Sequence, residues 1–256
     1  MEKELCWLIT NKCNESCAFC HKFENEMDLT LSENKEILDH IIASGINEIV
    51  WSGGEALLYP DIYQILKHSK NKGIKNTLIT NGQTYNALVF EYLDEIVLSL
   101  DSLDSKTNKL VGRGKNHFVN WHRTLRKIQR HHPNLIIRVN TVFTKYNSSQ
   151  GLDIKLFLEN NRVNKWRIFK FAALRGRAIK SKSLFELDNG QFEAIVGTIG
   201  NSNMEIQIRQ NNDYNDLYLL ITPGGNLYIT DTGGDKYLGQ IKDTNIIKKI
   251  FDSERC

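Results

Sequence analysis

Three cysteines within eight residues, Cys13, Cys17 and Cys20, constrain this chain more than any other feature of its sequence. Thiolates at spacings of four and three bind three irons of a [4Fe–4S] cube and leave the fourth iron open. Four protein thiolates would close the cube into an electron carrier, whereas a run of only three asks for an outside ligand at the last iron. Two plainer readings stand beside this one, a zinc knuckle and three unrelated core cysteines. A tetrahedral zinc site wants a fourth Cys or His, and His21, directly after Cys20, is poorly placed to close it.

The rest of the chain supplies the scaffold. With 256 residues, 41% of them hydrophobic and 25% charged, it can bury a full core, and one large α/β domain is the expectation. The five cysteines are odd in number and their spacing is unlike a secreted disulfide framework, which points to a reducing cytosol. Cys6, in the first strand, reads as a small buried hydrophobe, and Cys256 is the last residue. Residues 1–8 carry two Glu and one Lys before any apolar run, and no apolar segment approaches membrane length. Neither a signal peptide nor membrane association is expected, and the protein is placed in the cytoplasm. A net charge of +3 is too small for a long nucleic-acid footprint, so stable nucleic-acid binding is not expected. Any polyanion it binds should be small and met by a few chosen Lys and Arg.

Short β-rich runs alternate with amphipathic helical runs, the signature of βα units on a parallel sheet. Strands are expected at residues 5–10, 48–52, 77–80, 95–100, 135–144 and 166–171. Between them come a helix capped by Ser32 and ended by Gly45, one over 61–72 closed by Gly73, and others over 118–132 and 152–161. Six such units imply a partial (βα)6 TIM-like barrel. The cysteine loop follows the first strand directly, at the carboxyl end where α/β folds place their chemistry. After Arg175 the pattern changes to a basic, flexible piece at 175–182, a helix at 189–200, strands at 204–208 and 218–222, and a hairpin turning at 223–226. The expected division is a barrel core over 1–175 and an extension over 176–256 that covers the barrel mouth and completes the substrate site.

Further motifs fall on the same carboxyl-end rim. Ser52-Gly53-Gly54-Glu55 ends the second strand, where two glycines let backbone carbonyls approach a ligand and a Glu offers an acceptor. Thr80-Asn81-Gly82 and Ser99-Leu100-Asp101 put small polar groups after the third and fourth strands; each also reads as ordinary turn and cap residues. On a strand, residues two apart face the same way, so Arg138 and Asn140 project together, as do Lys165 and Arg167. With Lys236, these cations suit a triphosphate of about four negative charges, which Arg grips bidentately.

The Cx3CxxC run resembles the signature of the radical SAM superfamily, and Gly53-Gly54-Glu55 resembles the motif with which those enzymes hold the methionine amino group. The resemblance implies two cofactors, a [4Fe–4S] cluster on Cys13, Cys17 and Cys20 and S-adenosylmethionine contacted by Ser52, Gly53, Gly54, Glu55, Asn81, Ser99 and Arg113. It also implies a flavodoxin- or ferredoxin-like electron donor, and a 5′-deoxyadenosyl radical that abstracts an unactivated hydrogen. The segments Leu98-Ser99-Leu100-Asp101-Ser102-Leu103-Asp104, Val111-Gly112-Arg113-Gly114, Arg138-Val139-Asn140-Thr141-Val142 and Lys165-Trp166-Arg167-Ile168-Phe169 are similar to the viperin family. That family converts a ribonucleoside triphosphate, here CTP, UTP or GTP, to its 3′-deoxy-3′,4′-didehydro analogue by removal of H4′ and loss of the 3′-hydroxyl, in antiviral defence. The resemblance implies that Arg138, Lys165, Arg167 and Lys236 bind the phosphates, that Asn140 bonds the ribose and that Tyr218 lies by the reacting carbon. Arg138 stands where the family has Lys, and the chain resembles a compact, prokaryote-like form without the animal proteins' amphipathic helix. The alternatives are a radical SAM enzyme acting on another nucleotide or a peptide and, last, a non-enzymatic metal or Fe–S protein.

Overall fold

A computed structural model describes residues 4–210, 213, 218–231 and 234–243. Six strands, β1 (Glu4–Leu8), β2 (Glu48–Ser52), β3 (Lys75–Thr80), β4 (Glu95–Ser99), β5 (Ile136–Phe143) and β6 (Lys165–Lys170), lie side by side in parallel. They are the six expected strands, each within two residues of its expected start. The sheet continues at both edges. β7 (Glu205–Arg209) adds a parallel neighbour to β6. At the other edge β8 (Tyr218–Ile221) runs parallel to β1 and turns back into β9 (Asn226–Asp231), which pairs antiparallel with β10 (Gly234–Gln240). The ten strands form one sheet in the order β10-β9-β8-β1-β2-β3-β4-β5-β6-β7, and the α/β fold with its parallel sheet is as expected.

Strand alternation divides the sheet into two faces with different work. Trp7, Trp51, Leu78, Leu98, Val139, Trp166 and Ile168 are fully buried in one core beneath the helices. Each such side chain contributes about 1.5–3 kcal/mol by leaving water. Their strand neighbours Cys6, Val50, Ile79, Asn140 and Phe169 face the other way and line a cavity. That inner face is where polar groups gather.

The helices are α1 (Leu31–Ala43), α2 (Ile62–Asn71), α3 (Ala87–Phe90), α4 (Ser105–Leu110), α5 (His117–His131), α6 (Gly151–Asn160), α7 (Gly176–Lys180), α8 (Lys182–Phe185) and α9 (Asn189–Ile199). The cap of α1 is Thr30, not Ser32: Thr30 accepts from the backbone of Glu33 while the Glu33 carboxylate accepts from Thr30, a reciprocal box that Ser32 cannot form from inside the first turn. Gly45 and Gly73 take positive φ just past α1 and α2, as expected of C′ glycines. The stretch 175–182 is not a flexible piece. Its short helices bury Ala178 and Phe185 against Phe19, Val111 and Phe171, a second apolar cluster directly under the cysteine loop. Strand β10 and helix α4 had no expected counterpart. Among the described residues no helix is long and apolar enough to cross a membrane.

Candidate active site

The cysteine loop leaves the carboxyl end of β1 and is held from three sides. Gly54 donates to the Thr10 carbonyl at 2.6 Å and Glu55 to the Lys12 carbonyl at 2.8 Å. A Cβ at Gly53 would sit 2.6 Å from the Thr10 carbonyl oxygen, and one at Gly54 2.4 Å from that of Lys12. These glycines are therefore required for the close approach of two protein loops, not only for the approach of a ligand. Glu55 is likewise occupied: its carboxylate accepts from Thr80 Oγ1 at 2.7 Å, Asn81 N at 2.7 Å and Leu57 N at 3.2 Å. Burial pushes its pKa up despite these donors. Asn81 donates onward to Asn14 Oδ1 at 2.7 Å, which ties the cysteine loop to the end of β3.

The second support is a buried charge network. Arg113 meets Glu15 Oε2 at 2.7 Å and grips Asp101 Oδ2 through Nε at 2.7 Å and Nη2 at 2.6 Å. His117 Nδ1 lies 2.6 Å from the other Glu15 oxygen, and Val142 N donates to Asp101 Oδ1 at 2.9 Å. Burial alone would raise the Glu15 carboxyl, but the bond from His117 and the charge of Arg113 hold it below its ordinary value. The turn before Arg113 completes the support. Gly112 has φ +88°, and a Cβ there would meet the Ser16 carbonyl oxygen at 2.4 Å. Ser16 N and Ala18 N bond to the Gly112 and Val111 carbonyls at 3.2 and 3.1 Å.

Cys13, Cys17 and Cys20 are free thiols around one cavity of about 240 Å³. Burial raises Cys13 and drives Cys17 up to about 12, against the pull of the Arg113 charge. A cube takes one thiolate per iron, so its ligands must surround a space and not meet at a point. Among the described residues no three His, Cys, Asp or Glu side chains converge on a single ion. His21 Nε2 lies 2.6 Å from the Ala172 carbonyl, and burial, with the charge of Arg175, lowers its pKa to about 4. The donor set fits a cluster with an open iron and not a zinc knuckle. Ser52, Gly53, Gly54, Glu55, Asn81, Ser99 and Arg113 all line the same cavity as the three cysteines.

A second cavity of about 230 Å³ opens from the first, sharing His21, Ile79, Asn140, Val142 and Phe169 with it. Its wall carries Arg138, Arg167 and Arg175. The register explains the grouping, because Arg138 lies beside Lys165 and Asn140 beside Arg167 across β5 and β6. Arg138 Nε pairs with the buried Glu95 at 2.8 Å, and Arg167 Nε donates to Gln207 Oε1 at 3.0 Å. Arg175 pairs with Asp235, donates to Thr230 Oγ1 at 2.9 Å and lies 5.0 Å above the Phe23 ring. Lys170 lines the same cavity, its Nζ on Asn189 Oδ1 at 2.5 Å. Asn140 Oδ1, at the junction of the cavities, is a buried acceptor with no hydrogen-bond partner among the described residues.

Two expected phosphate ligands are elsewhere. Lys165 sits at the rim, 3.9 Å from Glu95 and 4.0 Å from Glu205, and lines neither cavity. Lys236 is exposed on β10, because alternation turns its neighbour Asp235 toward Arg175 instead. The side chain of Tyr218 and all of Cys256 lie outside the described residues; the Tyr218 backbone pairs with Glu4 in the sheet. Sequence reasoning put Asp101 on the rim but not as the partner of Arg113, and it missed Glu15 and His117 as well as Glu95 and Arg175. The available signals were a Glu inside the cysteine run and the basic stretch beginning at Arg175.

A family model described as the Radical SAM superfamily matches residues 7–154, more than half of the chain. Curated relatives include an S-adenosylmethionine-dependent nucleotide dehydratase of Flammeovirga pacifica, 26% identical over 94% of this chain and 86% of the relative. Another, from Selenomonas ruminantium, is 25% identical over 91% and 88%. Among solved structures, anSMEcpe with bound AdoMet aligns at TM-score 0.73 and 13% identity, covering 96% of this chain and 79% of that one. SuiB of Streptococcus suis bound to S-adenosylmethionine aligns at TM-score 0.68 and 18% identity, covering 88% of this chain and 59% of SuiB. What these two structures share with the chain is the fold.

Proposed function

The chain belongs to the radical SAM superfamily, and from that premise we propose that it is a nucleotide dehydratase that converts CTP, UTP or GTP to the 3′-deoxy-3′,4′-didehydro analogue in antiviral defence. Its cofactors are a [4Fe–4S] cluster and S-adenosylmethionine. Bound together, they supply one-electron reductive cleavage of the sulfonium and with it removal of an unactivated hydrogen.

The chain's own part is to hold and orient. Cys13, Cys17 and Cys20 would carry the cluster, and Ser52, Gly53, Gly54, Asn81 and Ser99 would contact S-adenosylmethionine. Glu55 and Arg113 line the same cavity and would contact S-adenosylmethionine too, each fixed in place by its own bonds, Glu55 from Thr80 and Asn81 and Arg113 to Asp101 and Glu15. Arg138 and Arg167 would take the triphosphate, with Lys165 and Lys236 supplying charge from the rim. Leu220 and Thr230, which line the second cavity, support the view that the residues after 175 complete the substrate site. The observation that carries the reading is Asn140 Oδ1, an unpartnered buried acceptor between the cysteine cavity and the cationic one. A ribose hydroxyl would satisfy it while the triphosphate reached the guanidinium groups, and H4′ would then face the cysteine end. Tyr218, two residues before the lining Leu220, is the candidate source of the one electron and one proton with which the 3′-hydroxyl leaves as water and the 3′,4′ double bond forms. A flavodoxin- or ferredoxin-like donor would supply electrons in the cytoplasm, and neither nucleic acid nor membrane is part of the reading.

A peptide substrate is the rival reading, but the cationic wall favours a polyphosphate. The deciding experiment is anaerobic reconstitution followed by a panel of CTP, UTP, GTP, nucleosides and peptides. A triphosphate should raise 5′-deoxyadenosine formation well above the uncoupled level and emerge lighter by one water. Inert triphosphates beside an active nucleoside or peptide would overturn the assignment.

A further inference from the structure

On the face of the sheet opposite the cysteines, where helices return to the amino ends of β5 and β6, lies a basic cleft of about 560 Å³. Arg126 and Arg130 of α5 and Arg162 of the turn before β6 line it, with Gln129, Asn160 and Asn164 between them. No carboxylate lines the cleft, and none of the three arginines forms an ion pair among the described residues. The acid that acts here is Glu91, whose charge reaches His132 at the edge; burial nonetheless lowers that imidazole's pKa.

Two local choices at this cleft work against stability. Arg126 and Arg130 are one turn apart on α5, and like charges at that spacing destabilise a helix. Arg162 holds φ at +53° as the C′ residue that ends α6, where its N–H bonds to the Glu159 carbonyl and that of Val163 to the Leu158 carbonyl, a position glycine fills more readily. Three exposed arginines with no carboxylate in the lining leave the cleft open to an anion. The guanidinium fork matches phosphate oxygens, and no Phe, Tyr or Trp among the described residues lines the cleft to stack a base.

We propose that this cleft is a second anion site that binds the phosphate chain of a small polyphosphate, separate from the cavity of the proposed reaction; only the expected occupancy of that other cavity rests on the function proposed above. Inorganic tripolyphosphate and a nucleoside triphosphate share the chemistry it would read. The test is calorimetric titration of the full reconstituted chain with inorganic tripolyphosphate. The wild type should bind two molecules, and R126Q/R130Q should bind one while nucleotide-stimulated 5′-deoxyadenosine formation is unchanged. R162G should weaken the second site by about tenfold while raising Tm, because glycine tolerates the left-handed backbone. A nucleoside triphosphate competing with tripolyphosphate in R138Q/R167Q would identify the nucleotide as an occupant, and failure to compete would restrict the site to inorganic polyphosphate; both support the proposal. Unaltered stoichiometry in R126Q/R130Q would overturn it. So would an RNA oligonucleotide that binds the wild type more tightly than tripolyphosphate and is lost in that variant.

Discussion

The two ends of the candidate active site are built on opposite rules. At the cysteine end nearly every polar group already has its partner: Glu55 accepts three bonds, Arg113 bridges Glu15 and Asp101, and His117 takes the remaining Glu15 oxygen. At the cationic end Arg138, Arg167, Lys170 and Arg175 share one wall with a buried Asn140 oxygen that has no hydrogen-bond partner among the described residues. The saturated end is rigid before any ligand arrives, which suits thiolates that must stay in register around a cluster. The unsaturated end is completed by what it binds. The buried Asn140 acceptor beside that cationic wall points to an occupant that both donates a hydrogen bond and carries negative charge.

Breaking each end should fail differently. The largest effect belongs to Arg113→Ala, which strands Glu15 and Asp101 in the interior. Breaking a buried pair of this kind costs about 3–5 kcal/mol, or roughly 10 °C in Tm for a chain of this size. Iron content after reconstitution should fall with it, and a variant that loads iron normally would remove the network from the account. Arg167→Ala should behave in the opposite way, keeping iron and Tm while raising the KM for triphosphate about tenfold through loss of a charge-assisted bond. A kcat defect with unchanged KM would break the contrast. The smallest effect, and the sharpest for sign, is Glu95→Gln. Removing the carboxylate that competes for Arg138 should tighten triphosphate binding about fivefold, an effect of ~1 kcal/mol; weaker binding would mean that Glu95 positions Arg138 more than it neutralises it.

How much of this was legible depended on how local the cause was. Strand parity placed Arg138, Asn140 and Arg167 on one wall, because a period of two needs no partner to be read. The same parity could not place Lys236, since that required knowing that β10 pairs with β9 and that the register shifts between Tyr237 and Gly239. Arg113 was expected beside the cofactor and lines the cysteine cavity, yet its partner Glu15 lies 98 positions away, a separation no local pattern reports. Gly53 and Gly54 showed where a close approach occurs, while what approaches, the backbone of Thr10 and Lys12, emerged only from packing. Helices α7 and α8 were hidden because the composition of 175–185 is that of a solvated loop; one inward residue of each, Ala178 and Phe185, holds them down.

The claim that binds both ends together is that a triphosphate held by Arg138 and Arg167 presents its ribose to the cysteine end at Asn140. Its most direct test uses ribonucleoside triphosphates deuterated at C4′ with the reconstituted enzyme, followed by mass analysis of the 5′-deoxyadenosine formed. The account predicts deuterium in the 5′-deoxyadenosine, with transfer lost in Asn140→Ala. Unlabelled 5′-deoxyadenosine formed while the nucleotide is consumed would contradict it.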